Sequence, residues 1–278
     1  MTARHESENI RLLKTTGAAL FGTRWKASLA AQLGVTRETV SRWVNGGSTF
    51  PEWALLFVRE LVKARGAVLS LCDRTGIMLE PWAQAGFDCM AVDIRHTGAR
   101  HEKGINFIGA DVRYWLPPPR RYAIVFAFPP CTHLSVSGAR WFQGKGMNGL
   151  TEAIELVESC RRICEWSEAP WMIENPVSTL SSYWRRPDFF FDPCDFGGWI
   201  EPPSDHYKKK TAVWAGNGFR RPQKRRVEAL HTERRIHNLP RTPDRGDIRS
   251  ITPRGFAQAV FAANSPFPQK HIAAQMSL

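Results

Sequence analysis

The residues best suited by type and spacing to do chemistry are a thiol and a carboxylate, each at the end of an apolar run. YAIVFAF (122–128) leads into Pro129-Pro130-Cys131, and PWMIEN (170–175) ends in Glu174-Asn175. The two prolines remove two backbone donors and stiffen the loop that carries the thiol. A rigid loop suits a nucleophile, because misplacement costs rate. A thiol beside a carboxylate suits attack on an electron-poor ring. The sulfur adds to carbon, and the carboxyl group offsets charge that develops on the ring nitrogens.

Both residues must be positioned by a scaffold, and the pattern around them predicts one. From Gly66 onward, short apolar runs alternate with longer segments. AVLSLC (67–72), FDCMAVDI (87–94), INFIGA (105–110), YAIVFAF and PWMIEN read as buried strands. The stretch 149–168 carries Ile154, Leu156, Val157, Cys160, Ile163 and Cys164 at helical spacing. Strands alternating with helices predict an α/β domain with a mostly parallel, doubly wound, Rossmann-like sheet over 66–278. Ligands of such sheets bind at the carboxyl ends of the strands, where Cys131 and Glu174 fall. Residues 219–249 read as an irregular basic excursion. TPRGFAQAVFAAN (252–264) reads as a closing helix, capped by Thr252 with Pro253 in its first turn.

Residues 1–65 show no strand pattern and read as a small all-α domain, with the boundary near Lys63–Gly66. KASLAAQLGVTRETVSRWVNG (26–46) has helix-turn-helix spacing. Ala30 permits close approach, Gly34 the tight turn, and Leu29, Leu33, Val35, Val40 and Trp43 an inward face. Thr36 caps a second helix whose outward residues are Arg37, Glu38, Thr39, Ser41 and Arg42. In a major groove, Arg37, Thr39, Ser41 and Arg42 are the candidates for base edges and phosphates. This segment resembles the helix-turn-helix of phage repressors and Cro-like proteins.

Pro-Pro-Cys after an apolar strand, followed about 40 residues later by Glu-Asn at the end of another, resembles the DNA cytosine-5 methyltransferase family, and its compact phage and prophage members in particular. The resemblance spans roughly residues 67 to 264. It implies S-adenosylmethionine as cofactor, double-stranded DNA as substrate, Cys131 as the nucleophile toward C6 of a flipped cytosine, and Glu174 as the group bonding N3 and the exocyclic amine. It implies a cofactor site built from the turn Asp73-Arg74-Thr75-Gly76, from Asp93 for the ribose hydroxyls, from Asp111 for the adenine amine, and from Pro129. Arg74 departs from the family, which has glycine there. Lys208-Lys209-Lys210-Thr211 stands where the family carries basic residues near the target base, with Lys208 and Lys210 as DNA candidates. Thr252 to Phe256 matches the family's final motif. His133 and Ser135 follow the nucleophile and are candidates for contact with the target nucleotide, or for local bonds. Only about 214–250 is available as a recognition segment, far less than in typical members.

The formal net charge of +12 over 278 residues favours a polyanionic partner. No apolar stretch approaches bilayer length, and the first residues show no secretory h-region, so the expected location is the bacterial cytoplasm or nucleoid, or a phage-infected cell. The six cysteines form no CxxC pair. The expectation is free thiols and no metal, with Cys160 and Cys164 buried on a helix. No obligate protein partner is indicated. Two other readings are compatible with the same residues: a DNA-binding regulator whose methyltransferase-like domain is inactive, and a pyrimidine methyltransferase acting on RNA or a free nucleotide. A dehydrogenase-like protein would lack its GxGxxG fingerprint here and leave Pro-Pro-Cys unexplained.

Overall fold

A computed structural model of the chain describes residues 9–11, 13–14, 16–17, 21, 24–64, 66–135, 142–229 and 245–265. The chain has α/β architecture with one eight-stranded mixed sheet. Its strands are β1 (Ala67–Leu71), β2 (Cys89–Asp93), β3 (Ala99–Glu102), β4 (Ile105–Gly109), β5 (Tyr122–Ala127), β6 (Trp171–Pro176), β7 (Phe189–Phe191) and β8 (Thr211–Gly216). Their order is β3-β4-β2-β1-β5-β6-β8-β7. β4, β2, β1, β5 and β6 run parallel, β8 runs against β6 and β7, and β3 runs against β4. The order reverses between β1 and β5, so a crevice opens outside their carboxyl ends, an arrangement compatible with a Rossmann-like fold.

Period-2 alternation explains the layers. Val68, Ala91, Phe107, Ile124, Phe126, Met172 and Val213 face one side of the sheet, against Met78, Leu79, Trp82, Phe256, Val260 and Phe261. Leu69, Leu71, Val92, Val125, Ala127, Ile173 and Trp214 face the other, against Val157, Cys160, Ile163 and Cys164. The first layer is covered by α4 (Glu80–Gln84) and α8 (Arg254–Asn264), the second by α5 (Phe142–Trp166) and the short α6 (Leu180–Tyr183). Trp82, fully buried, meets Phe87 and Phe261 edge to face at 5.3 and 5.0 Å and tilts over Phe126 at 6.0 Å, joining α4, α8 and β5.

The five strands read from apolar runs are all present. β3 escapes such a reading because all four of its residues are exposed. β7 has only three residues, β8 lies antiparallel between it and β6, and α5 begins earlier than its periodicity suggests, across a kink at Gly146 (φ 69°, ψ 179°). Two expectations need correction. Pro253, not Thr252, stands at the cap of α8, and no side chain caps it. The basic excursion is not wholly irregular, since its end forms α7 (Arg245–Ser250). The part of the expected recognition segment at 230–244 lies outside the described residues.

The N-terminal region is helical where described: α1 (Trp25–Leu33), α2 (Arg37–Val44) and α3 (Glu52–Lys63). Gly34 makes the α1–α2 turn at φ 65°, and Thr36 Oγ1 accepts from the Thr39 amide at 3.2 Å, so both expected signals act as read. Leu29, Ala30, Val40 and Trp43 are buried together with Ala54, Leu55 and Val58 of α3. This region is also fastened to the sheet domain. Thr16 Oγ1 donates to the Ala85 carbonyl at 3.1 Å in a buried setting, and Leu61 packs against the core cluster of the sheet's first face.

Trp82→Ala removes the ring that joins three elements. Its expected effect is a loss of about 3–5 kcal/mol of stability, read as a lower urea midpoint with little change in m.

Candidate functional site

The thiol loop is built by bonds from the strand beside it. β5 ends at Ala127, Phe128 donates its amide to the Leu71 carbonyl, and Pro129 is buried while Pro130 is exposed. Asn175 Nδ2, fully buried, donates to the Pro129 carbonyl at 2.9 Å. Beyond the thiol, the Leu134 and Ser135 amides both return to the Cys131 carbonyl, at 3.0 and 2.9 Å. The Thr179 amide and hydroxyl then bond the Leu134 carbonyl, and Ser135 bridges Ser178. Cys131 is therefore held on one side by β6, through Asn175, and on the other by the segment that follows β6. The residue after the carboxylate ties down the loop that carries the thiol.

Cys131 and Glu174 are both half-buried. Burial first, then the charge of Glu174, pushes the Cys131 thiol up, while Lys209 and Arg249 pull it down. Burial pushes the Glu174 carboxyl up as well, and Lys209 opposes it. A carboxyl group held toward its neutral form can donate a proton or a hydrogen bond to a ring nitrogen. Glu174 shares a narrow crevice of about 10 Å³ with Phe128, Phe191, Lys209, Ile251, Thr252 and Phe256. That is space for about one water.

The lysine run enters β8 in alternation. Lys208 and Lys210 are exposed, whereas Lys209 turns inward, and its Nζ donates to the Arg249 carbonyl at 2.8 Å. The expectation placed Lys208 and Lys210 near the target base. The structure puts Lys209 beside the thiol and the carboxylate instead, because only every second residue of an extended segment faces inward. Lys210 lies over the Phe190 ring at 5.1 Å, on the outer side. Arg249 is a second basic neighbour that sequence reasoning missed, since 118 residues of chain separate it from Cys131.

The other expected residues gather around the carboxyl ends of β1, β2 and β4. Asp73 is buried and spends its carboxylate on its own turn: it accepts from Ser70 Oγ (2.7 Å), from the Gly76 amide (2.7 Å) and from the Thr75 amide and hydroxyl (3.1 and 3.3 Å). It shapes the crevice wall rather than offering a carboxylate to a ligand. Gly76 has φ +69°, and a Cβ there would come within 2.8 Å of the Phe107 ring, so packing alone requires glycine. Asp93 accepts the Arg95 amide on Oδ1 at 2.8 Å, and its Oδ2 has no hydrogen-bond partner among the described residues. Ile94 beside it is 65% exposed, an apolar surface next to an acid. Asp111 is engaged instead: Arg113 grips both its oxygens, down to 2.6 Å, and holds the carboxyl below its usual range. Any ligand amine must compete with that guanidinium. Cys72 occupies the middle of this group at φ 53°, its thiol pushed up by Cys160, burial, Asp93 and Asp111. Its Sγ lies 3.8 Å from that of Cys160, and all six cysteines are free.

Arg74 does not intrude on this crevice unopposed. Its guanidinium pairs with Asp247 of α7 at 3.0 Å, and Arg95 grips the same carboxylate at 2.5 and 3.0 Å. His133 has turned toward α5: its ring fills the space above Gly149, and its Nδ1 is buried without a partner among the described residues. Arg37 and Arg42 are exposed on α2, and Ser41 is half-buried. Thr39 is half-buried, and its hydroxyl is 3.0 Å from that of Thr36, which ties it to the cap. A larger hollow, about 740 Å³, lies at the opposite end of the sheet, among Arg120, Arg121, Trp166 and Arg220. Neither Cys131 nor Glu174 lines it. Among the described residues no helix is long and apolar enough to cross a membrane, and no group of three metal-ligating side chains forms. No protein-family model and no curated protein matches the chain.

The charges around Cys131 set its reactivity. Its thiol stands above the ordinary value, so alkylation by iodoacetamide should rise with pH later than for a free thiol. Lys209→Met removes a cation that pulls the thiol down and should slow labelling severalfold at neutral pH. Glu174→Gln removes an anion that pushes it up and should speed labelling. Mass spectrometry of the Cys131 peptide reads both changes.

Proposed function

We propose that the chain is an S-adenosylmethionine-dependent DNA cytosine-5 methyltransferase with a helix-turn-helix on α1 and α2 for duplex DNA. The observation that carries this reading is the Asn175–Pro129 bond, which ties the thiol-bearing loop after β5 to the end of the adjacent parallel strand β6, where the raised carboxyl group of Glu174 stands.

The chemistry follows from these residues. A cytosine must leave the duplex to reach Cys131. The thiolate attacks C6, and its electron pair moves into the ring toward N3 and C5. Glu174, held toward its neutral form, bonds N3 and the exocyclic amine and offsets the negative charge that builds there. Lys209 and Arg249 favour the thiolate over the thiol. After methylation a base takes the C5 proton, and the C6–S bond breaks to release Cys131.

The residues fit the cofactor unevenly but sufficiently. The open oxygen of Asp93 suits a ribose diol, exposed Ile94 suits one face of a purine, and the turn folded around Asp73 forms the wall between them. Asp111 would meet the purine amine only by sharing or giving up Arg113. When bound, S-adenosylmethionine supplies an electrophilic methyl group for C5.

Purified protein, mixed-sequence duplex DNA and tritiated S-adenosylmethionine test the reaction. Label is expected in 5-methyldeoxycytidine after digestion. It should be absent with Cys131→Ala and reduced about a hundredfold or more with Glu174→Gln. Label confined to RNA or to free nucleotides would move the substrate class.

The ion cluster at Asp247 gives a second expectation. Asp247→Ala releases Arg74 and Arg95 at the crevice rim and should weaken S-adenosylmethionine binding severalfold in calorimetry. Arg74→Gly in the same chain should restore it, because the crowding side chain is then gone.

A further inference from the structure

α3 buries one face and leaves an apolar stripe on the other. Ala54, Leu55 and Val58 pack inward, whereas Trp53 and Leu56 are each 52% exposed and Phe57 is 36% exposed. Trp53 keeps an edge contact with Trp43 at 6.4 Å, so its ring is anchored while half its surface faces outward. Three large apolar side chains within five residues of one helix form a contiguous patch, unlike a single exposed leucine. The stripe belongs to the N-terminal helices, so it stands apart from the catalytic reading.

The charges beside the stripe identify its occupant. Glu52 and Arg59 lie seven residues apart, two turns along one flank of α3, both exposed and with no ion pair between them or to other described residues. When two copies of such a helix pack antiparallel, the same flank of each faces the other. A two-fold axis near Leu55–Leu56 then sets Glu52 of each copy opposite Arg59 of the other. The same axis lays Trp53 of each copy against the Leu56–Phe57 region of the other. The pattern is self-complementary, as an isologous interface requires.

We infer that α3 is the dimer interface of this chain, pairing antiparallel with α3 of a second copy through Trp53, Leu56 and Phe57. Two copies so joined carry two α2 helices related by a two-fold axis, the arrangement that reads paired half-sites in DNA.

Sedimentation velocity of the full chain over a range of concentrations tests this. The wild type should reach a dimer. Leu56→Glu should be monomeric at the same concentrations, with far-UV circular dichroism and melting unchanged because the site is half-exposed. Charge reversal tests the geometry separately. Glu52→Arg alone and Arg59→Glu alone should each weaken the dimer about fivefold, since each creates two like-charged pairs. The double reversal should restore it. A wild type that stays monomeric overturns the proposal, as does a dimer indifferent to Leu56→Glu. A double reversal that fails to restore pairing overturns the antiparallel arrangement.

Discussion

The site depends on one buried hydrogen bond, from Asn175 Nδ2 to the Pro129 carbonyl. Proline supplies no amide donor, so the loop from Phe128 to Cys131 has few backbone bonds of its own. The asparagine ties that stretch to β6 itself, while the bonds from Thr179 and Ser178 hold the chain only beyond the thiol. With it, β6 fixes two things at once: Glu174 by its own backbone, and Cys131 through the neighbouring residue's side chain. A buried polar group left unmade costs about 1–3 kcal/mol, so the bond also resists displacement of the loop. The tandem of acid and amide at the end of β6 holds the Cys131 loop beside the Glu174 carboxyl group.

Around that device, the sheet was largely legible. β1, β2, β5 and β6 are buried along most of both faces, and such strands write themselves as continuous apolar runs, whereas β4 buries only Ile105 and Phe107. Thr36 and Gly34 were readable because caps and left-handed turns demand particular residue types. The missing pieces share a different physics. β3 is wholly exposed, so hydrophobicity carries no trace of it. Lys209 was obscured by its identical neighbours, and only the register of β8 distinguishes the inward lysine. Arg249 and Asp247 reach the crevice through tertiary packing of α7, which no local pattern encodes.

Arg74 shows the same limit from the other side. In the sequence it is a glycine position filled by a long cation. In the fold it is one of two arginines that converge on Asp247, and the pair draws α7 across the loops after β1 and β2. Asp73, Gly76 and Asp111 lie beyond the carboxyl ends of β1 and β4, and each has a structural task that spacing does not reveal: a turn, a contact with Phe107, and an ion pair with Arg113.

The central claim is covalent attack by Cys131 on a pyrimidine carbon, and trapping tests it most directly. Duplex DNA containing 5-fluorocytosine, incubated with the protein and S-adenosylmethionine, offers no C5 proton for the final elimination. The adduct through Cys131 Sγ should therefore persist. The account predicts a protein–DNA complex that survives denaturation, with the nucleotide on the Cys131 peptide by mass spectrometry and none formed by Cys131→Ala. A linkage at another residue, or no denaturation-resistant complex, would contradict it.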